Sequence, residues 1–153
     1  MDNRILGDPG TPAFQVDKYP FYLLNRLVAR YNAVIEDQLR AIGLDIPNWR
    51  VLMVLGELSP RGVREIAAAA VIPTSTMSRI VQRMEAAGLV TLDVSPEDAR
   101  VTEVSLTRQG EAKLVEARAA TAPIYAKVIR GFGKRDFDKL IAHLTLLHEN
   151  LAD

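Results

Sequence analysis

The stretch that decides the fold reads VREIAAAAVIPTSTMSRIVQRMEAAGLV over residues 63–90 and continues as TLDVSPEDARVTEVSLTRQG to residue 110. It begins with two short helical patterns, and Pro73 prevents them from forming one continuous helix. The second helix is expected to begin at Pro73 or Thr74, with a hydroxyl of Thr74, Ser75 or Thr76 as its N-cap. A two-stranded pattern follows. This order predicts a helix-turn-helix with a β-ribbon behind it, an arrangement that can place a helix in a DNA groove.

The second helix of the pair has one apolar and one polar face. Met77, Ile80, Val81 and Met84 follow the i, i+3, i+4, i+7 spacing of a buried stripe. Hydroxyls on the other face can reach base edges or phosphates, and arginines can fork onto phosphate or guanine. The DNA contacts predicted on this helix are Thr74, Ser75, Thr76, Ser78, Arg79 and Arg83.

The ribbon consists of two alternating segments that are typical of half-buried strands. Val90, Leu92 and Val94 alternate with polar residues in the first, and Val104 and Leu106 do so in the second. The loop between them spans residues 95–99, and an arginine at position 100 stands just past its tip. An arginine on a protruding ribbon suits a narrow, electronegative minor groove.

This stretch resembles the MarR family of winged helix-turn-helix transcriptional regulators. The wing pattern D-x-R-x-x-x-V/L-x-L-T-x-x-G is matched by Asp98, Arg100, Val104, Leu106, Thr107 and Gly110. The recognition-helix pattern is matched by Thr76, Ser78, Arg79, Val81, Arg83, Met84, Glu85, Gly88, Leu89 and Val90. The family often has a second arginine where this chain has Ala99, so the wing is expected to bind less strongly. The resemblance implies that Asp98 and Arg100 belong to the DNA-binding site.

The composition narrows the classes of function. A chain of 153 residues with 48% hydrophobic residues can form one domain or two closely packed ones. The formal net charge is zero, so recognition of DNA should depend on individual contacts more than on general attraction. Without cysteine, disulfides and thiolate metal sites are excluded. The chain shows neither a signal-peptide pattern nor an apolar run of ~20 residues, which predicts a cytoplasmic protein without a membrane span.

Amphipathic helices are predicted over residues 20–41, 107–131 and 134–151. They flank the winged helix-turn-helix segment (residues 45–110), which is called the reading head below. They carry more apolar surface than a small winged domain can cover, which favours a homodimer over an extended intramolecular bundle. The predicted interface residues are Phe137, Leu140, Ile141, Leu144 and Leu147. The predicted domains are a mobile arm (1–19), a helical dimerisation region (20–44 and 111–153) and a winged helix-turn-helix domain (45–110).

Residues suited to catalysis or metal binding are scarce. His143 and His148 are five positions apart, about 140° around a helix, so no paired metal site and no cofactor are predicted. No serine lies in a nucleophile-elbow context and no Gly-rich phosphate loop is present, so an enzyme is disfavoured.

The resemblance implies a small aromatic acid as effector, bound between the dimer helices and the reading head. An arginine beside aromatic rings suits an aromatic carboxylate. The proposed contacts are Tyr22, Arg26, Trp49, Arg50 and Met53. Two alternatives stay open, namely that Trp49 packs in the core and that Arg50 has a structural polar partner.

The sequence therefore predicts a mainly α protein with a small two-stranded β-wing. Its predicted function is that of a ligand-responsive repressor, which binds a pseudo-palindromic operator in double-stranded DNA as a homodimer. The alternative is a ligand-binding or protein-interaction module of the same fold without specific DNA binding. The zero net charge and Ala99 keep that alternative open.

Overall fold

The computed structural model describes residues 1–152. They form seven α-helices, one 3₁₀-helix (Val16–Lys18) and three β-strands, which confirms the predicted mainly α fold with a β-wing. The elements in chain order are α1 (Asn3–Leu6), α2 (Pro20–Arg40), α3 (Ile46–Glu57), β1 (Arg61–Gly62), α4 (Val63–Ala70), α5 (Thr74–Ala86), β2 (Val90–Val94), β3 (Thr102–Leu106), α6 (Arg108–Val128) and α7 (Lys134–Glu149). Among these helices, none combines the length and the apolar composition that crossing a bilayer requires.

The strands form one antiparallel sheet in the order β1-β3-β2. Val90 pairs with Leu106 and Val94 with Thr102, so the loop at residues 95–101 extends from the end of the ribbon as the wing. The two predicted strands are confirmed, but the sheet has a third strand, β1, that was not predicted. Two residues are too few to show the alternation by which a strand is recognised in a sequence.

The core of the reading head lies between α3, α4, α5 and the sheet. The predicted stripe of α5 is buried throughout, from Met77 to Met84. Leu52 and Leu55 of α3, Ile66 of α4 and the sheet residues Val90 and Val104 are buried as well, and α5 contacts α3, α4 and β2. Burial of each large apolar side chain contributes about 1.5–3 kcal/mol, so this layer holds the helix pair against the sheet.

The helix ends agree with the sequence at several positions. Asp45 caps α3, because its Oδ1 accepts a hydrogen bond from the Asn48 N–H at 2.8 Å. Gly88, with φ +80°, follows α5 in the left-handed conformation that glycine adopts without strain. Thr107 caps α6, since its Oγ1 accepts a hydrogen bond from the Gly110 N–H at 2.9 Å.

The predicted hydroxyl cap of α5 is wrong. The N-cap residue is Pro73, which makes no side-chain hydrogen bond to the helix. The helix begins at Thr74, so the hydroxyls of Thr74, Ser75 and Thr76 lie inside the first turn and not in front of it. A cap must precede the turn, and these hydroxyls therefore remain on the surface of the helix start.

The segment over residues 1–19 contains two short elements, α1 and the 3₁₀-helix, that were not predicted. Leu6 is buried, and its carbonyl accepts a hydrogen bond from the Gln15 N–H at 2.7 Å. Phe14 and Tyr19 pack edge to face with ring centroids 5.6 Å apart. Elements this short leave no periodic pattern in a sequence, and the mobility of the arm stays a prediction.

The chain divides into two compact units, Met1–Thr121 and a second that begins at Ala122. In the first unit, the C-terminal half of α2 is buried at Ile35 and Leu39, whereas Leu27 and Val28 of the same helix are exposed. In the second unit, α7 has no buried side chain. The division into arm, dimerisation region and winged domain stays a prediction.

Candidate nucleic-acid interface

The polar face of α5 is available to a large ligand. The side chains of Thr74, Ser75, Thr76, Arg79 and Arg83 are all exposed, on the side of the helix away from the buried stripe. Ser78 is half-buried and its hydroxyl donates to the Thr74 carbonyl at 3.1 Å. In the first turn no side chain accepts the backbone N–H groups, and such a helix start attracts a phosphate.

The wing presents Arg100 in a fixed orientation. Its side chain is 90% exposed, and its guanidinium makes two hydrogen bonds of 3.1 Å to the two carboxylate oxygens of Asp98. The Arg100 N–H also donates to Asp98 at 3.0 Å, which fixes the backbone between the two residues. The Arg100 guanidinium, followed by this N–H, lowers the pKa of Asp98 from its usual value. Asp98 therefore orients the Arg100 side chain, most of which faces solvent.

Glu85 connects the recognition helix to the wing, a role that the sequence analysis did not assign. Its Oε2 accepts a hydrogen bond from the Leu92 backbone N–H at 2.8 Å. β2 is an edge strand, so the N–H groups on its outer side have no neighbouring strand to pair with. The carboxylate thus gives the Leu92 N–H a hydrogen-bond acceptor and links α5 to the ribbon. The position of Glu85 in the quoted helix pattern was the only sign of it.

Gly110 allows α6 to start against the turn that follows α5. A Cβ at this position would overlap the Leu89 carbonyl oxygen and would lie 3.2 Å from Leu106 Cδ2. Thr107 joins the same turn, because its hydroxyl donates to the Gly88 carbonyl at 2.6 Å. The threonine and glycine of the T-x-x-G pattern therefore hold the start of α6 against the turn that follows α5, at the base of the ribbon.

A cleft of about 560 Å³ lies between the start of α4, the start of α5 and the wing. Predicted DNA contacts line it, together with two charged residues of α4, Arg64 and Glu65, that the sequence analysis missed. Arg64 belongs to the first helix of the pair, for which the sequence analysis predicted no DNA contact, and nothing in the pattern placed it beside the wing.

The residues proposed for an effector are spread over α2 and α3. Tyr22, Arg26 and Met53 are exposed. Arg50 donates from Nη1 to the Ala70 carbonyl at 3.2 Å, which gives it a structural partner at the end of α4. Within residues 1–152, three surface clefts of about 590, 560 and 360 Å³ are lined by none of the five. The effector contacts stay a prediction.

Trp49 differs from the other four. Its indole nitrogen Nε1 is buried and has no hydrogen-bond partner within residues 1–152. A buried indole N–H is normally paired, so this unpaired donor is an exception.

Comparisons with known proteins agree with this geometry. The model of the MarR family matches residues 42–101. The HTH-type transcriptional repressor IacR of Pseudomonas putida is 35% identical over 144 residues, which cover 94% of this chain and 86% of the relative. A MarR family transcriptional regulator from Silicibacter pomeroyi DSS has a TM-score of 0.82 at 26% identity over 95% of this chain and 97% of its own. CouR from Rhodococcus jostii RHA1, solved with p-coumaroyl-CoA bound, shares the fold with a TM-score of 0.79 at 20% identity over 87% of this chain and 94% of its own. The chain thus belongs to the MarR family of winged helix-turn-helix transcriptional regulators.

Proposed function

We propose that the protein is a homodimeric repressor that binds a pseudo-palindromic operator in double-stranded DNA and leaves it when a small molecule binds. The observation that carries this proposal is the exposed face of hydroxyls and arginines on α5 beside Arg100, which Asp98 orients on the wing. The name of the relative IacR, a transcriptional repressor, supports the sign of regulation. The proposed activity is DNA binding and not catalysis. It would take place in the cytoplasm, where the DNA is.

The two DNA-binding elements suit two different grooves. The first turn of α5 carries short hydroxyls and free backbone N–H groups, and arginines follow at positions 79 and 83. Such a helix start can enter the major groove, where arginine forks onto guanine. Arg100 extends from the ribbon and fits the narrower minor groove alongside. With zero net charge, the affinity depends on these contacts.

The proposed dimer would cover the apolar surface that one chain leaves exposed. On α7 the exposed apolar residues are Leu140, Ile141, Leu144, Leu146 and Leu147. On α2 they include Phe21, Leu23, Leu27, Val28 and Val34. Apolar faces of this extent normally mark an interface, and a second copy with two-fold symmetry is the simplest partner. Two-fold symmetry would place the recognition helices about 34–36 Å apart, with half-sites ~10 bp apart.

Selection of bound duplexes from a random pool tests the DNA-binding role. The wild-type protein is expected to enrich a pseudo-palindrome with this spacing. Arg79→Ala should relax the base preference at one position of each half-site and cost about 1–3 kcal/mol. Arg83→Ala should weaken all duplexes alike, because Arg83 lies further along α5 and would contact phosphate.

The two variants serve as controls for each other, since both replace an exposed arginine on the same helix. A preference that changes in Arg83→Ala and not in Arg79→Ala would reverse the two roles. If the wild-type protein enriches no sequence at all, the alternative function, a module of this fold without specific DNA binding, is the better description.

We further propose that the effector is a small aromatic carboxylic acid bound near Trp49. The unpartnered indole N–H supports this site, since it can donate to a ligand oxygen. Tyr22 and Arg26 on α2 are exposed and do not pack in the core. The Arg26 guanidinium can therefore bind the carboxylate of the effector, and the Tyr22 ring can contact its aromatic ring. A ligand alters DNA affinity only through its different affinity for the DNA-bound and free forms of the dimer, typically by ~1–3 kcal/mol.

Trp49 is the sole tryptophan, so its fluorescence reports on this site alone. A panel of phenolic and benzoic acids is expected to include at least one that changes the emission and weakens operator binding about 5–150-fold. Trp49→Phe should keep DNA binding and should be released less readily by that acid, because phenylalanine has no indole N–H to donate. An acid that releases DNA equally well from wild type and Arg26→Ala, without any change in Trp49 emission, would place the effector elsewhere.

A further inference from the structure

The cleft between α4, α5 and the wing contains an unusual set of charges. Seven polar residues line it, namely Arg64, Glu65, Thr74, Ser78, Asp98, Arg100 and Thr102. They come from the first helix of the helix-turn-helix, the recognition helix, the wing loop and the start of β3. At about 560 Å³ the cleft is far larger than one water molecule, and it is open to solvent.

Two of these charges neutralise each other and two do not. Asp98 and Arg100 form the forked ion pair of the wing at 3.1 Å. Within residues 1–152, neither Arg64 nor Glu65 makes an ion pair or a side-chain hydrogen bond, and both are exposed. Among the charged residues of this part of the chain that line the cleft, Arg64 is therefore the unpaired cation and Glu65 is the unpaired anion.

The position of the cleft indicates which part of a bound DNA duplex would pass through it. If α5 enters a major groove and the wing enters the neighbouring minor groove, the DNA strand that separates the two grooves passes between them. The surface between α5 and the wing is this cleft. Every nucleotide of that strand carries a phosphate, and arginine binds phosphate through a planar fork. The hydroxyls of Thr74 and Ser78 add neutral polar groups at the same place.

We propose that the cleft holds a backbone phosphate of the bound DNA, that Arg64 binds this phosphate, and that Glu65 lowers the affinity by repelling it. The inference rests on the proposed DNA binding and adds a contact outside the recognition helix and the wing. An acid beside the phosphate further limits the binding of unrelated DNA by a reading head that carries no net positive charge. Recognition then depends on the base contacts of α5.

Salt titration of DNA binding tests the cleft directly. Full-length dimer is titrated with fluorescently labelled operator and with an unrelated duplex at several KCl concentrations. For Arg64→Gln, we expect about tenfold weaker binding to both duplexes. The slope of log K against log salt should be less negative by about 0.9 per subunit. For Glu65→Gln, we expect about threefold tighter binding to both duplexes.

The matched control is Arg108→Gln, which removes an exposed arginine at the start of α6, beyond the end of β3 that is remote from the wing loop. It should change neither affinity nor slope, and thermal melts should show all three variants folded. An unchanged slope in Arg64→Gln, or weaker binding in Glu65→Gln, overturns the proposal while DNA binding itself stands. A wild-type protein that binds neither duplex overturns the proposed function as well.

Discussion

Replacement of Gly110 by alanine is expected to destabilise the protein by about 3 kcal/mol or more. Helix propensity alone predicts the opposite, because alanine is about 1 kcal/mol more favourable than glycine inside a helix. The added methyl group would overlap the Leu89 carbonyl oxygen. That carbonyl cannot move freely, since it accepts a hydrogen bond from the Thr107 N–H at 3.1 Å and the Leu89 N–H donates to Met84 at 3.0 Å.

Urea denaturation followed by circular dichroism measures this effect. Gly133→Ala is the matched control, because a Cβ there meets no atom within 4 Å, and it should change stability by no more than about 1 kcal/mol. Since Leu89 lies between α5 and β2, any Gly110→Ala protein that folds should also bind operator less tightly. A variant as stable as wild type would show that the turn can shift without cost.

Introduction of a carboxylate at Leu144 is expected to produce monomers and to weaken specific DNA binding at least ~100-fold. Leu144 is 37% exposed in one chain, and Leu140 and Leu147 on the same side of α7 are similarly exposed at 37% and 39%. In the proposed dimer, Leu144→Glu would bury an unpaired charge, which costs several kcal/mol. A monomer loses the second half-site, and with it the contacts of one whole reading head.

Analytical ultracentrifugation at micromolar concentration and operator titration measure the two effects. Ala142→Glu is the control, since it places the same side chain about 160° around α7 from Leu144. It should leave the protein dimeric and active. A dimeric Leu144→Glu protein would remove this stripe from the interface, and a wild-type monomer that binds operator tightly would remove the dimer from the mechanism.

Short-range patterns accounted for most of the reading head. The 3.6-residue spacing from Met77 to Met84 identified the buried side of α5. The alternation in residues 90–94 and 102–106 identified the two strands of the wing. These features depend on neighbours within a few positions, and the physical preferences of helices and strands repeat over the same short distances.

Contacts between distant positions could not be obtained in this way. β1 exists because Arg61 and Gly62 pair with Val104 and Glu103, more than forty positions later. The hydroxyl cap was misassigned for a related reason: three consecutive hydroxyl residues each satisfy the capping rule, and only the backbone of the turn selects where the helix begins.

The same distinction between short-range patterns and distant contacts applies to the candidate site. The sequence by itself determined which residues form the polar face of α5, that an arginine follows the wing tip, and that the chain has no cysteine chemistry. Only the tertiary structure decided that Asp98 pairs with Arg100, that Arg50 bonds to the end of α4, and that Arg64 and Glu65 line the cleft beside the wing. The periodic spacing of residues defines the face of a single helix, whereas the packing of several elements decides which charges meet between them.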